Sequence, residues 1–241
     1  MIENYHRWNS LYLNRDFEML TFGERGLPII IFPTSGGRYY EAKDRGIVNS
    51  IADLIDDGKI ILFCPDSVNN ESWYNYSAEP KYRVLRHIEY ENCILNDVIE
   101  FAKHKTGFKK VALTGCSFGA YHAANMTFKH PDKVSHLLTM GGGFDIKQFI
   151  FGYYDENCYY NNPLDYLPNL TDDWYLSRIQ KINISIRTGD KDFCLPENEK
   201  LSNTLKSKNI DHEFEVRHNT GHDWHWWLDM FRNYILEITK L

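Results

Sequence analysis

An α/β architecture built on a mostly parallel, doubly wound sheet is what the sequence predicts, and three observations carry it. Short apolar runs recur at residues 27–32, 60–64, 111–113, 134–140 and 182–186, with the length and composition of strands buried on both faces. Helical patterns separate them, most clearly over residues 82–103, where Leu85, Ile88, Leu95, Val98, Ile99 and Ala102 recur at helical spacing. Alternation of this kind asks for right-handed crossovers and therefore parallel strands. Between the third run and the helix after it stands Gly115-Cys-Ser-Phe-Gly119, a strand-to-helix turn too tight for side chains at its two flanking positions.

Taken in order, residues 8–13 and 17–22 alternate apolar and polar side chains around Asn14-Arg15-Asp16, which predicts an antiparallel hairpin at the sheet edge. The strand at 27–32 runs into the loop Pro33-Thr-Ser-Gly-Gly-Arg38, followed by a helix over about residues 40–56. The strand at 60–64 ends at Pro65-Asp66 and an aromatic loop that contains Trp73, Tyr74 and Tyr76. The long amphipathic crossover helix stops at Thr106-Gly107, and the helix after the serine turn stops at His130-Pro131. The strand at 134–140 closes on Gly141-Gly-Gly143.

Residues 144–178 differ in character: Tyr153, Tyr154, Tyr159, Tyr160, Tyr166 and Trp174 crowd between closely spaced turn signals, with no long period. This reads as an insertion of short helices over the strand ends, a partial lid, against the plainer alternative of a surface helix pair. A strand at 182–186, a helix at 197–207, a strand at 214–217 and a closing helix at 222–240 complete the chain. Without repeats or a low-complexity linker, residues 1–241 read as one domain.

Composition narrows the function. A net charge of −6 provides no basic face for nucleic acid or anionic lipid. The amino terminus lacks the basic and apolar regions of a signal peptide, and no run approaches the roughly 18 apolar residues of a membrane span. The expectation is a soluble, cytoplasmic protein with no nucleic-acid or membrane partner; a homo-oligomer is left open. The five cysteines are scattered and form no C-x-x-C pair, so free thiols in a reducing compartment are expected. Cys116, beside the serine, reads as a small buried residue rather than a nucleophile.

A serine hydroxyl is too weak an acid to attack a carbonyl unaided, so a nucleophile at Ser117 requires a base and a carboxylate further along the chain. Thr188-Gly-Asp-Lys-Asp192 follows the strand at 182–186, and Asn219-Thr-Gly-His222 follows the last strand. That chain order, serine then acid then histidine, is the order of one fold. His218, His222 and His225 stand at spacings of four and three, but Gly221 interrupts any helix there and no His-Glu-x-x-His arrangement exists, so no metal is expected.

On Gly115-Cys-Ser-Phe-Gly119, Gly189-Asp-Lys-Asp192 and Gly221-His-Asp-Trp224, the chain from about Leu27 onward resembles the α/β-hydrolases, closest to the esterase branch that includes esterase D and the mycolyltransferases. The resemblance implies Ser117 as nucleophile, Asp192 as acid and His222 as base, with Asp190 the rival acid, better suited to fixing its own loop. It implies an oxyanion hole made from the backbone of Phe118 and an amide of the loop after the third strand. This chain has Pro33-Thr34 where the family often has His-Gly, so Ser35 is the choice there and Thr34 the alternative. Trp73 and Tyr74, just past a strand terminus, are candidate substrate-binding residues, the alternative being packing against the insertion. Trp224, Trp226 and Trp227 read as core anchors of the last helix. The function implied is hydrolysis of a small carboxylic ester through an acyl-enzyme, without a cofactor. The alternatives are acyl transfer of the mycolyltransferase type and a catalytically idle binding protein.

Overall fold

Eight strands form one sheet in the computed structural model, which describes residues 1–240. They are β1 (Glu3–Ser10), β2 (Arg15–Phe22), β3 (Leu27–Phe32), β4 (Ile60–Pro65), β5 (Val111–Cys116), β6 (Val134–Met140), β7 (Asn183–Gly189) and β8 (Glu213–Arg217), in spatial order β1-β2-β4-β3-β5-β6-β7-β8. From β4 to β8 all pairs are parallel, whereas β1–β2 and β2–β4 are antiparallel. The chain leaves β3 for β4 on one side and returns to β5 on the other. The direction of winding therefore reverses between β3 and β5, which opens a crevice outside their carboxyl ends.

The edge hairpin begins earlier than its apolar pattern suggests: β1 starts at Glu3 and pairs along the whole of β2, and the turn occupies residues 11–14 with Asn14 at φ 50°. Pairing to a long neighbour, which the sequence pattern does not register, extends the strand. The helix expected at 40–56 is three short ones, α1 (Glu41–Asp44), α2 (Ile47–Ser50) and α3 (Ala52–Asp56). Gly46 in the left-handed region (φ 86°) breaks the first from the second.

The crossover is α4 (Pro80–Cys93) running through a π-helical segment, Ile94–Ile99, into α5 (Glu100–Thr106), which Gly107 ends at φ 75°. After α6 (Phe118–Lys129), a 3₁₀ turn (Ile146–Phe149), α7 (Glu156–Tyr159), α8 (Pro163–Asn169) and α9 (Asp173–Ile179) make up the expected insertion of short helices. Buried Asn161 ties it to α6: its carbonyl accepts from Tyr121 Oη at 2.9 Å, and its side-chain oxygen from Asn125 Nδ2 at 3.0 Å and Lys129 Nζ at 2.9 Å. Finally α10 (Leu195–Ser207) and α11 (Trp224–Thr239) cover the later strands, with Asp223 capping α11 by accepting from the His225 amide.

Two apolar cores lie on opposite faces of the sheet. One gathers Trp73, Val84, Ile94, Val98, Tyr121 and Phe149 beneath the crossover and the insertion. The other gathers Ile47, Ile51, Trp227 and Phe231 beneath α2 and α11. All five cysteines are buried and unpaired with one another. No helix among the described residues is long and apolar enough to cross a membrane.

Candidate active site

The serine turn is held by contacts that leave no room for side chains. A Cβ on Gly115 would stand 2.3 Å from the Gly119 carbonyl carbon, and one on Gly119 would stand 2.4 Å from the Phe32 oxygen. Close approach of β3, β5 and α6 forces Ser117 to φ 53°, ψ −121°, a conformation that costs a non-glycine residue about 1–3 kcal/mol and recurs at functional sites. Ser117 sits at the N-terminus of α6, where the first amides have no helical acceptor and the helix dipole favours negative charge. Cys116 packs into the core on the α2 and α11 face of the sheet and is 1% exposed. Burial raises its thiol pKa well above the ordinary range.

The structure brings the carboxylate and the imidazole to this hydroxyl. Asp192 lies just past β7, its side chain 1% exposed, and its Oδ1 accepts from the Cys194 amide at 2.8 Å and from His222 Nδ1 at 2.9 Å. A carboxylate at Nδ1 keeps the proton on that nitrogen, so Nε2, 2.9 Å from Ser117 Oγ, is the acceptor. Asp190 goes elsewhere: it accepts from the Thr220 amide at 3.2 Å and pairs with exposed His218 at 2.7 Å, pinning the loop that carries His222. The histidines at 218, 222 and 225 therefore do not converge. Asp192, Cys194 and His222 do offer ligand atoms within 4.8 Å of one another, but both ring nitrogens of His222 are already engaged.

The sequence pattern places none of three neighbours of the imidazole at the site. Phe193 lies over it, ring centroids 4.2 Å apart, while remaining 77% exposed. Trp227, buried as a core anchor should be, meets the imidazole edge-on at 4.7 Å. Gly141 has φ 55°, and a Cβ there would stand 2.5 Å from Asp192 Oδ2 and 3.2 Å from His222 Nδ1. The glycine run after β6 was the one available hint.

The loop after β3 closes a turn, with the Gly37 amide donating to the Thr34 carbonyl at 3.1 Å. The Thr34 amide donates to Glu41 Oε2 at 2.7 Å and the Thr34 hydroxyl to Glu41 Oε1 at 2.7 Å. The amides of Ser35 and Phe118 have no protein acceptor among the described residues. Tyr74, half-buried, donates its hydroxyl to Ser35 Oγ at 2.7 Å and packs its ring 5.3 Å from Phe118 and 4.7 Å from Phe149, at the crevice. Trp73 is a correction to the sequence reading. It is fully buried, with its ring against His87, Tyr121 and Phe149, because the crossover helix, α6 and the insertion close over it. It has no surface to offer a substrate. The roomier hollows lie away from the serine; one of about 520 Å³ is bounded by Tyr5, Trp8 and Met19 of the hairpin and Phe101 of α5, so volume alone does not mark the chemistry.

This fold is shared with known structures. A ferulic acid esterase superposes with a TM-score of 0.80 at 16% identity, over 99% of this chain and 98% of that one. The chain has the α/β-hydrolase fold. The family model described as alpha/beta hydrolase fold matches residues 72–157. An S-formylglutathione hydrolase from Agrobacterium tumefaciens is similar with a TM-score of 0.76 at 9% identity, over 99% and 94% of the two chains. MPT51 of Mycobacterium tuberculosis follows with 0.72 at 13% identity, over 98% of each. These α/β-hydrolase-fold neighbours fall in the branch that the sequence resembles. No curated protein matches in sequence.

Proposed function

We propose that the protein is a serine esterase that cleaves a small carboxylic ester through an acyl-enzyme, with Ser117 as nucleophile, His222 as base and Asp192 as the acid that orients it. The observation that carries this reading is the continuous row Ser117 Oγ, His222 Nε2, His222 Nδ1, Asp192 Oδ1, with 2.9 Å at both hydrogen bonds, on a serine already held in a strained turn. The esterases and hydrolases among the structural neighbours support it.

In the reaction, Ser117 Oγ adds to the ester carbonyl while its proton passes to His222 Nε2. The Nδ1–H stays on the imidazole, and Asp192 stabilises the resulting imidazolium without taking the proton. The carbonyl oxygen becomes an oxyanion, met by the Phe118 amide, by the Ser35 amide and by the positive end of α6. As the tetrahedral species collapses, His222 returns its proton to the departing alcohol, leaving the acyl group on Ser117. Water then adds to the acyl carbon, His222 takes its proton, and a second collapse releases the carboxylic acid and restores the serine. Tyr74 borders the space where the ester would lie. Phe193 limits water at one face of the imidazole.

The test is turnover of p-nitrophenyl acetate together with labelling by a fluorophosphonate probe. Ser117→Ala is expected to abolish both. Asp192→Asn should lower kcat by about ten-thousandfold, as loss of the orienting carboxylate does elsewhere, while Asp190→Asn stays within about tenfold. Turnover surviving in Ser117→Ala, or a larger loss from Asp190→Asn than from Asp192→Asn, would refute the assignment.

A further inference from the structure

The loop after β3 contains a carboxylate whose bonding has no explanation in the fold alone. Glu41, at the start of α1, spends both side-chain oxygens on one residue, Thr34, at 2.7 Å each. No lysine, arginine or histidine among the described residues pairs with it: nearby Arg38 is committed to Asp66 and Glu18 instead. Gly37 makes room for it, since a Cβ there would stand 2.4–2.6 Å from the Glu41 carboxylate atoms. A half-buried carboxylate without a cation is costly unless its hydrogen bonds do something needed.

Position shows what that need is. The Phe32 and Pro33 oxygens lie against Gly119, so this loop borders the turn that carries Ser117. Of its amides, Thr34 and Ser35 are adjacent, and successive amides of a turn point in different directions. By holding the Thr34 amide, Glu41 turns that N–H away and fixes the next one, which has no protein acceptor. From the other side, Asn69 Nδ2 donates to the Thr34 carbonyl at 3.1 Å and Tyr74 donates to Ser35 Oγ at 2.7 Å. The loop is thus tied at three consecutive groups around the Ser35 amide, which like the Gly36 and Arg38 amides has no protein acceptor among the described residues.

We propose that Glu41 is a positioning residue that locks Thr34 out of the oxyanion hole and presents the Ser35 amide as its second donor. This rests on the esterase reading for its catalytic meaning, but the lock itself does not. Preorganised donors are effective because no reorganisation is needed as charge develops; a loop free to rock between the Thr34 and Ser35 amides would lose that. The lock needs two hydrogen bonds, not a negative charge. An amide in place of the carboxylate serves equally, its oxygen accepting from the Thr34 N–H and its NH₂ donating to the Thr34 hydroxyl.

The experiment compares Glu41→Ala, Glu41→Gln and Ser35→Pro. Proline suits the second position of a turn in which neither central residue has positive φ; it removes the Ser35 N–H together with the hydroxyl that accepts from Tyr74, so Ser35→Ala, which loses the hydroxyl alone, is its reference. With p-nitrophenyl acetate, Glu41→Ala is expected to lower kcat by roughly ten- to a hundredfold with KM within about twofold. Binding of a trifluoromethyl ketone, whose adduct mimics the oxyanion, should weaken in proportion. Glu41→Gln should recover kcat to within about threefold, and Ser35→Pro should lower it by about a hundred- to a thousandfold relative to Ser35→Ala, the range for one lost donor. Equal losses from Glu41→Gln and Glu41→Ala, a loss confined to KM, or full activity in Ser35→Pro would overturn the proposal. Amide exchange separates it from the esterase reading: the Thr34 amide should be protected in the native protein and in Glu41→Gln and exposed in Glu41→Ala, whether or not any ester is cleaved. A Thr34 amide that exchanges freely in the native protein refutes the lock alone; wild-type protein that neither turns over the ester nor takes the fluorophosphonate refutes the esterase reading alone.

Discussion

Gly141 shows how finely the candidate site is fitted. Its φ of 55° already disfavours a side chain, and the space a methyl group would occupy is taken by Asp192 Oδ2 at 2.5 Å and His222 Nδ1 at 3.2 Å. Neither side chain can yield without disturbing the hydrogen bond from His222 Nδ1 to Asp192 Oδ1, and a displacement of an ångström in a catalytic group costs about a hundredfold in rate. Gly141→Ala is therefore expected to reduce kcat/KM for p-nitrophenyl acetate at least about a hundredfold, with a modest fall in Tm. Gly221 is the control: it precedes His222, has no neighbour within 4 Å of a built Cβ, and as alanine should keep the rate within about threefold. Equal effects at both glycines would show that general loop stiffness matters, not the fit around Asp192.

Among the elements, the long crossover departs most from its expected form. Its pattern predicts an unbroken amphipathic helix, and the chain does continue from Pro80 to Thr106, but residues Ile94–Ile99 widen into a π turn. That turn carries Asp97, which accepts from Trp8 Nε1 at 3.1 Å and from buried Ser10 Oγ at 2.9 Å, joining the crossover to the edge strand 87 residues earlier. A helical pattern carries no trace of such a long-range pair. Without the carboxylate, the Ser10 hydroxyl is left buried and unsatisfied, which costs about 1–3 kcal/mol. Asp97→Ala should lose about that much in chemical denaturation while its specific activity stays at the wild-type level, because the serine lies four strands away in the sheet. An unchanged midpoint would show that the π turn stands without this link.

For the molecule as a whole, buried titratable groups set the response to acid. His87 and His122 are buried beneath the crossover; desolvation holds His87 down to about 4 and His122 well below its usual range. Their unfolded forms bind a proton near pH 6.5 and their folded forms do not. The unfolded state thus gains protons first, and stability falls as pH drops below about 6.5. Glu91 acts in a second window. Burial alone would raise its pKa, but the hydrogen bond with His130 at 2.8 Å and the charge and hydrogen bond of Lys129 at 2.6 Å outweigh that and bring it to about 2. A carboxylate so depressed contributes stability above about pH 4.5 and loses it as pH falls toward 2. Unfolding free energy from urea titrations is accordingly expected to drop by a few kcal/mol between pH 6.5 and 4. His87→Phe should flatten that part of the curve, whereas a profile already flat from 7 to 4 would contradict the burial argument.

Strand positions, the parallel sheet and the Ser117 turn were legible in the amino-acid order because they depend on local rules: apolar runs, glycines where backbones touch, and a chain order of serine, acid and histidine that one topology satisfies. That order pointed to the loops after β7 and β8, and the family resemblance chose His222, and Asp192 over Asp190, as the residues that the structure sets in one row with Ser117. What only the tertiary structure decided were the break of residues 40–56 into three helices, the burial of Trp73 while Tyr74 faces the crevice, the placement of Phe193 over His222, and the Glu41 contacts that hold the loop after β3. The break at Gly46 and the seven-residue reach from Glu41 to Thr34 are local but aperiodic; the others depend on which atoms meet after the chain closes on itself, and contact across tens of residues leaves no period in the sequence to be read.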